Sequence, residues 1–108
     1  MANKTKRNNI ITQEIIDNLI RNADYEAVTV FDKCMVLMVK LANGFVIVES
    51  SACVDPENYN KEVGLQICIE KVKNKLWELE GYRLQSELYD KRNELQKETE
   101  IGEENELY

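Results

Sequence analysis

Residues 34–54 read CMVLMVKLANGFVIVESSACV, two apolar runs separated by the pair Asn43-Gly44. An Asn-Gly pair between apolar runs is a strong hairpin signal, because a type I′ turn needs positive φ at both central positions. The first run, residues 34–41, is almost continuously apolar, which is typical of a central strand with both faces covered. The second run, residues 45–54, becomes small and polar after four apolar residues. We therefore predict a β-hairpin with a type I′ turn, whose first strand lies in the middle of a sheet.

The segments on either side of this hairpin complete the fold. Residues 26–31 alternate partly between apolar and polar side chains and predict a third strand. Upstream, Thr12 is placed as the N-cap of an apolar-striped helix. Downstream, Asp55-Pro56 is typical of a helix start, and a long apolar stripe at helical spacing begins near residue 61. The order predicts an α+β fold: an N-terminal helix, a three-stranded antiparallel meander and a long C-terminal helix packed on the sheet.

Length and charge divide the chain into one domain and two tails. Its 108 residues suit a single domain, which we place at residues 10–84. Residues 1–9 contain three basic residues and no acid, and they are predicted to form a flexible basic arm. Residues 85–98 are predicted as a helical extension, and residues 99–108 as an acidic disordered tail.

The helical extension carries a narrow apolar face. Leu84, Leu88 and Leu95 follow heptad-like spacing, and Trp77 lies off the main core stripe of the long helix. One interpretation makes these four side chains contacts with an oligomer or a protein partner. The alternative for residues 85–98 is a solvated helix that is partly frayed. For Trp77 the alternatives are packing in the core or stacking on a ligand. Gly81 is interpreted as a helix C-cap or as a site of close packing.

Composition excludes several classes of site. Histidine is absent and the three cysteines are widely spaced, so we expect no zinc knuckle, disulfide framework or His-dependent catalysis, and no cofactor. The net charge of −6 makes duplex DNA an unlikely partner, since phosphate binding needs clustered Lys and Arg. The acidity serves either solubility or nucleic-acid mimicry. No apolar segment resembles a signal peptide or a membrane span, so we expect a cytoplasmic protein that binds no membrane.

The stretch from residue 49 to residue 59, ESSACVDPENY, is the best candidate for a binding site. Its small side chains let a ligand approach the strand backbone, and the following helix start offers unpaired N–H groups. The candidate ligand-binding residues are Ser50, Ser51, Asp55, Asn58 and Tyr59, with Arg83 as a possible source of positive charge. The simpler interpretation is that the polar residues cap the turn and the following helix.

Other chemistry in this stretch is less well supported. Cys53 has no histidine or nearby basic residue to activate it, so packing is favoured over a nucleophilic role. Glu49, Asp55, Glu57 and Glu62 match no calcium-loop spacing, and acids near a helix start are expected from the helix dipole. We therefore expect no metal site and no enzyme activity.

Two segments resemble a known family. The Ser51-Ala52-Cys53-Val54-Asp55-Pro56 turn and the later Trp77-Glu78-Leu79-Glu80-Gly81-Tyr82 segment are similar to the phage family named for gene products 49 and 66 of two short-tailed phages. The resemblance covers about residues 29–84, so the N-terminal helix and the residues after 85 fall outside it. It implies a phage accessory protein in an infected bacterial cell, without implying an activity.

Two functional hypotheses follow from this context. The first is a non-catalytic inhibitor or adaptor that binds a host or phage protein through an apolar or acidic surface. The second is a sponge that sequesters a nucleotide immune signal, in a pocket of a homo-oligomer at residues 50–58. Both predict a homo-oligomer or a complex, and neither needs catalytic residues.

Overall fold

The computed structural model describes residues 9–99, with side chains described to residue 96. The first helix, α1, spans Gln13–Arg21. The strands β1 (Asp24–Val30), β2 (Cys34–Lys40) and β3 (Val46–Ala52) follow, then a 3-10 turn (Pro56–Asn58) and the helix α2 (Lys61–Thr99). The strands form one antiparallel sheet in the order β1-β2-β3. The predicted α+β fold is confirmed, while the basic arm before residue 9 and the acidic tail after residue 99 lie outside the described residues.

Residues Thr12–Glu78 form one compact unit. In the described part of the chain, the second unit contains residues 9–11 and the rest of α2 from Leu79. The helix α2 continues unbroken past Gly81, so Gly81 is not a C-cap. A Cβ on Gly81 would have no neighbour within 4 Å, so close packing does not explain this glycine either.

Side-chain oxygens cap the helices of the compact unit. Thr12 Oγ1 accepts the backbone N–H of Ile15 at 3.3 Å, as its N-cap position predicts. Asp55 Oδ1 accepts the N–H of Glu57 at 3.0 Å and starts the 3-10 turn. Asn60 Oδ1 accepts two N–H groups in the first turn of α2, at 2.9 and 3.1 Å. Asp55 and Asn60 therefore have structural roles as capping residues at this turn and at the start of α2.

The core lies between the helices and one face of the sheet. Met35, Leu37 and Val39 of β2 alternate with half-buried neighbours and are almost fully buried. Ile16 of α1 and Ile47 of β3 join them. The buried stripe of α2 in the same unit is Cys68, Val72 and Leu76. This alternation fixes the register, since a shift of one residue would turn the buried side chains outward.

The turn chemistry differs from the prediction. Of the pair Asn43-Gly44, only Gly44 has positive φ, at 94°, and its N–H bonds to the carbonyl of Leu41 at 2.9 Å. This arrangement is typical of a type I turn followed by a glycine, so the hairpin is confirmed and its type I′ turn is wrong. Two adjacent positive φ angles occur instead at Phe31 (56°) and Asp32 (57°), between β1 and β2. Phe31 therefore belongs to a turn, although its apolar side chain suggested strand.

Candidate functional site

A small cavity of about 200 Å³ lies at the predicted stretch. Its walls come from the end of β3, the 3-10 turn and the first turns of α2, all within the compact unit. The main lining side chains are Ser51, Asn58, Tyr59, Asn60, Val63 and Ile67. Every residue of the described chain that lines it is uncharged. The cavity therefore offers hydroxyl and amide groups together with aliphatic side chains.

Tyr59 and Gly64 shape the floor of this cavity. The Tyr59 hydroxyl lies 2.9 Å from Oγ1 of Thr29 in β1, so the tyrosine side chain extends along the helix-facing side of the sheet. A Cβ on Gly64 would lie 3.1 Å from Cβ of Met35 and 3.8 Å from the Tyr59 ring. Glycine at position 64 therefore lets the start of α2 approach β2 and the tyrosine closely. The position of Gly64 in α2 is evident from the sequence, but its contact with Met35 in β2 could not be predicted from it.

Two lysines, which sequence reasoning missed, lie beside the stretch. Lys71 of α2 donates from Nζ to the carbonyl of Ser50 at 2.7 Å. Lys33, after the first hairpin turn, donates from Nζ to the carbonyl of Val54 at 3.2 Å. Both lysines are distant from the stretch along the chain, so only the fold brings them there. Neither lysine is among the described residues that line the cavity.

The candidate ligand residues separate into four groups. Ser51, Asn58 and Tyr59 line the cavity together. Ser50 faces the other side of the sheet, because it pairs with Val36 and not with Met35. Asp55 is exposed and caps the 3-10 turn. Arg83 belongs to the second unit and forms ion pairs at 3.0 Å with Glu80 and Glu87. None of these positions tests ligand binding, which stays a prediction.

The three cysteines are free, and all of them direct their thiols to backbone carbonyls as hydrogen-bond donors, with Cys34 Sγ at 4.0 Å from the carbonyl oxygen of Met35. Cys53 Sγ donates to the carbonyl of Asp55 at 3.2 Å. Cys68 is fully buried and donates to the carbonyls of Met35 and Glu49, both at 3.7 Å. Burial raises the pKa of the Cys68 thiol, which keeps it protonated and unreactive near neutral pH. Among the residues that the structure describes, no group of three or more acids or cysteines is placed to hold a metal ion.

The outer sheet face, which is the side away from the helices, was predicted to be covered and is not. Here β2 places Cys34, Val36 and Met38, all half-buried. Their partners on this face are Val30, Val28 and Glu26 in β1 and Ala52, Ser50 and Val48 in β3, while Val46 pairs with Lys40. Val28, Val46 and Val48 are 44%, 51% and 56% exposed. The prediction that both faces of β2 are covered was wrong for the compact unit, because α1 and the part of α2 in this unit both pack on the other side of the sheet. Within the described residues of this unit, no element covers the outer face of β2.

The four candidate contact residues of α2 have different exposures. Leu84 is buried and Leu88 is half-buried, while Trp77 and Leu95 are 37% and 64% exposed. Their role in oligomer or partner contact stays a prediction. No helix within residues 9–99 has the length and apolar character needed to cross a membrane.

The amino-acid sequence places the chain in a family of phage proteins. It belongs to the phage protein (N4 Gp49/phage Sf6 gene 66) family, whose sequence model matches residues 11–88. The match confirms the resemblance and extends it at both ends, so that α1 is part of the family pattern. No curated protein and no solved structure matches the chain significantly.

Proposed function

We propose that this phage protein acts by non-catalytic binding of another protein, from the host or the phage, as an inhibitor or adaptor. The observation that carries the proposal is the uncovered apolar run of β2 on the outer sheet face. An antiparallel sheet with one solvated face normally alternates apolar and polar side chains. Here Cys34, Val36 and Met38 stand where polar residues would be expected. A contiguous apolar surface of this kind is typical of a protein interface.

The distribution of charge on the outer sheet face supports the same proposal. At one end, Asp24 pairs with Lys40 across β1 and β2, and Glu26 lies beside Met38. At the other end, Val30 pairs with Cys34 and lies next to the turn that carries Phe31, which is 84% exposed. An apolar centre with a charged rim on one side is the usual anatomy of a protein–protein contact. The exposed aromatic residue adds a side chain type that is enriched in binding hot spots.

A positive charge placed on the outer sheet face should weaken the binding of the partner protein. We expect Val28→Lys to weaken the capture of the partner about 10-fold or more, because the ammonium group would be desolvated in an apolar contact. The immobilised protein is incubated with lysate from phage-infected cells, and bound proteins are quantified by mass spectrometry. Tyr82→Lys, at an exposed position on α2, is the matched control. Equal recovery of the same proteins by both variants, or no specific protein with the wild type, would contradict the proposal.

The cavity at Ser51 favours a second candidate, the sequestration of a nucleotide signal. Its hydroxyl and amide groups can bond to a ribose, and its aliphatic wall can pack against a base. Small-molecule sites usually enclose about 300–1,000 Å³. At about 200 Å³ this cavity accommodates only part of a nucleotide, so such a site requires a second subunit to complete it. The uncharged lining is a further reason to rank protein binding first.

Two adjacent serines allow a sharp test of the nucleotide proposal. In calorimetric titrations with cyclic and ADP-ribose-type nucleotides, Ser51→Leu should abolish any heat of binding, because the larger side chain fills the cavity. Ser50→Leu should leave it unchanged, since Ser50 points to the outer sheet face. Native mass spectrometry of the purified wild type checks for a ligand carried from the expression host. Absence of heat for every nucleotide with the wild type would remove this candidate.

A further inference from the structure

The outer edge of β3 has unpaired backbone groups. Phe45 and Cys53 lie just outside the two ends of β3. The Phe45 carbonyl accepts the N–H of Leu41 at 2.8 Å, and the Cys53 N–H donates to the carbonyl of Lys33 at 3.0 Å. Because the bonds of an antiparallel pair alternate along a strand, the even-numbered residues between them direct their N–H and C=O groups away from β2. These residues are Val46, Val48, Ser50 and Ala52. Among the described residues, the bond from Lys71 to the Ser50 carbonyl is the one contact to these edge groups. An open edge of this length is a template for pairing with another strand.

Exposed apolar side chains lie on both sides of this edge. Val46 and Val48 stand on the outer sheet face, and each is about half exposed. On the helix side, Val63 and Ile67 of α2 line the cavity beside the end of β3 and are 55% and 42% exposed. A single extended peptide would pair with the edge of β3, but it would cover the apolar side chains on only one side of the sheet. A second copy of the chain presents the same edge strand together with a helix beside it, so it offers apolar side chains on both sides of the sheet.

We propose that β3 pairs antiparallel with β3 of a second copy across a two-fold axis, which joins the two sheets into one of six strands. The proposal is independent of the protein-binding function, which uses the face of the sheet and not its edge. Such an isologous contact is the commonest form of homodimer. The backbone bonds are made at the edge, and the side chains on the two sides of the edge exclude water from them.

Charge argues against two registers of this pairing. Centring the two-fold axis on Glu49 would place two carboxylates directly opposite each other, which is unfavourable. Centring it on Ser50 would bring together the two Lys71 ammonium groups that bind the Ser50 carbonyls. The axis at Val48 avoids both conflicts and places Glu49 opposite Ile47 of the partner subunit. The Ser50 carbonyl keeps its bond to Lys71 in this register, since a carbonyl oxygen accepts two hydrogen bonds.

The same register has a consequence for the cavity. It places Gly44 of the partner subunit opposite Ala52, next to the cavity residue Ser51. The hairpin turn of the partner therefore lies at the side of the cavity that a single chain leaves open. Each cavity is completed by the second copy, so that the dimer has two equivalent pockets related by the axis.

Proline at position 48 tests the pairing without disturbing the monomer. The Val48 N–H points away from β2, and proline is tolerated on an edge strand at such a position. Sedimentation velocity should show a dimer for the wild type and for Val48→Thr, which retains the N–H. Val48→Pro should raise the dimer dissociation constant about 100-fold, because it removes a central donor and its ring obstructs the facing strand. Circular dichroism establishes that the variant is folded.

A disulfide cross-link tests the register of the two β3 strands. It also tests the pairing itself if the Val48→Pro variant fails to fold. In a Cys34→Ser, Cys53→Ser background, Val48→Cys should form an intermolecular disulfide, because antiparallel partners lie about 5.5 Å apart at Cα. Tyr82→Cys, at an exposed position on α2, should not form one. A monomeric wild type at 100 μM would overturn the proposal, as would a dimer that forms no Val48→Cys cross-link. A dimer that survives Val48→Pro and dissociates in Leu88→Lys would place the contact on the helical extension instead.

Discussion

Replacing Leu37 by alanine should destabilise the protein by about 3 kcal/mol, which is the typical cost of removing a buried leucine. Leu37 lies at the centre of β2 and is only 2% exposed. Its side chain faces the helices of the compact unit. Truncation to alanine therefore leaves a buried cavity, which the packed neighbouring side chains do not fill. The free energy of unfolding, from urea denaturation followed by circular dichroism, measures the effect at a fixed protein concentration.

The control for this prediction is a substitution of an exposed apolar residue. Val54→Ala should leave the free energy of unfolding within about 0.5 kcal/mol of the wild type, as surface substitutions usually do. Val54 is 92% exposed and lies after the end of β3. Equal destabilisation by both variants would mean that the core does not lie on the helix side of the sheet.

Replacing Gly64 by valine should destabilise the protein by about 3 kcal/mol, although valine is the better helix former. The first added carbon would lie 3.1 Å from Met35 Cβ, and the branched carbons would press further toward the strand and Tyr59. Because Met35 Cβ is attached to the strand backbone, it cannot move away as the end of a flexible side chain would. The helix start must therefore move away from the sheet.

The second glycine of α2 in the described chain provides a matched control. A Cβ on Gly81 has no neighbour within 4 Å, so only helix propensity distinguishes the two residues there. Gly81→Val should be neutral or stabilising by up to about 0.5 kcal/mol. Thermal or urea unfolding of both variants separates close packing at Gly64 from open space at Gly81. A Gly64→Val protein as stable as the Gly81→Val protein would contradict the packing argument.

Several parts of the structure were predictable because the signals are local. Thr12 and Asp55 are caps that accept nearby N–H groups, and the apolar stripe of α2 follows from helical spacing alone. The hairpin at Asn43-Gly44 was also predictable, since only a turn places such a pair between two apolar runs. The stretch from residue 49 to residue 59 could be singled out by its small and polar residues, and three of its candidates do line one cavity.

Turn geometry could not be predicted in the same way. The Asn43-Gly44 pair fits a type I′ turn and a type I turn with a following glycine, and the length of the loop decides between them. At Phe31 and Asp32 no glycine marks the positive φ angles. The pairing of β1 with β2 holds these residues in a conformation that their own preferences disfavour.

By itself, the sequence determined the elements, their order, the family and the stretch that holds the cavity. Only the tertiary structure decided that Lys71 reaches Ser50 and that, within the described residues, no element covers the outer sheet face and no strand pairs with the outer edge of β3. The physical reason is that helix periodicity and capping act between residues a few positions apart. Which face of a strand is covered, and which edge stays open, depends on contacts between residues that are distant along the chain.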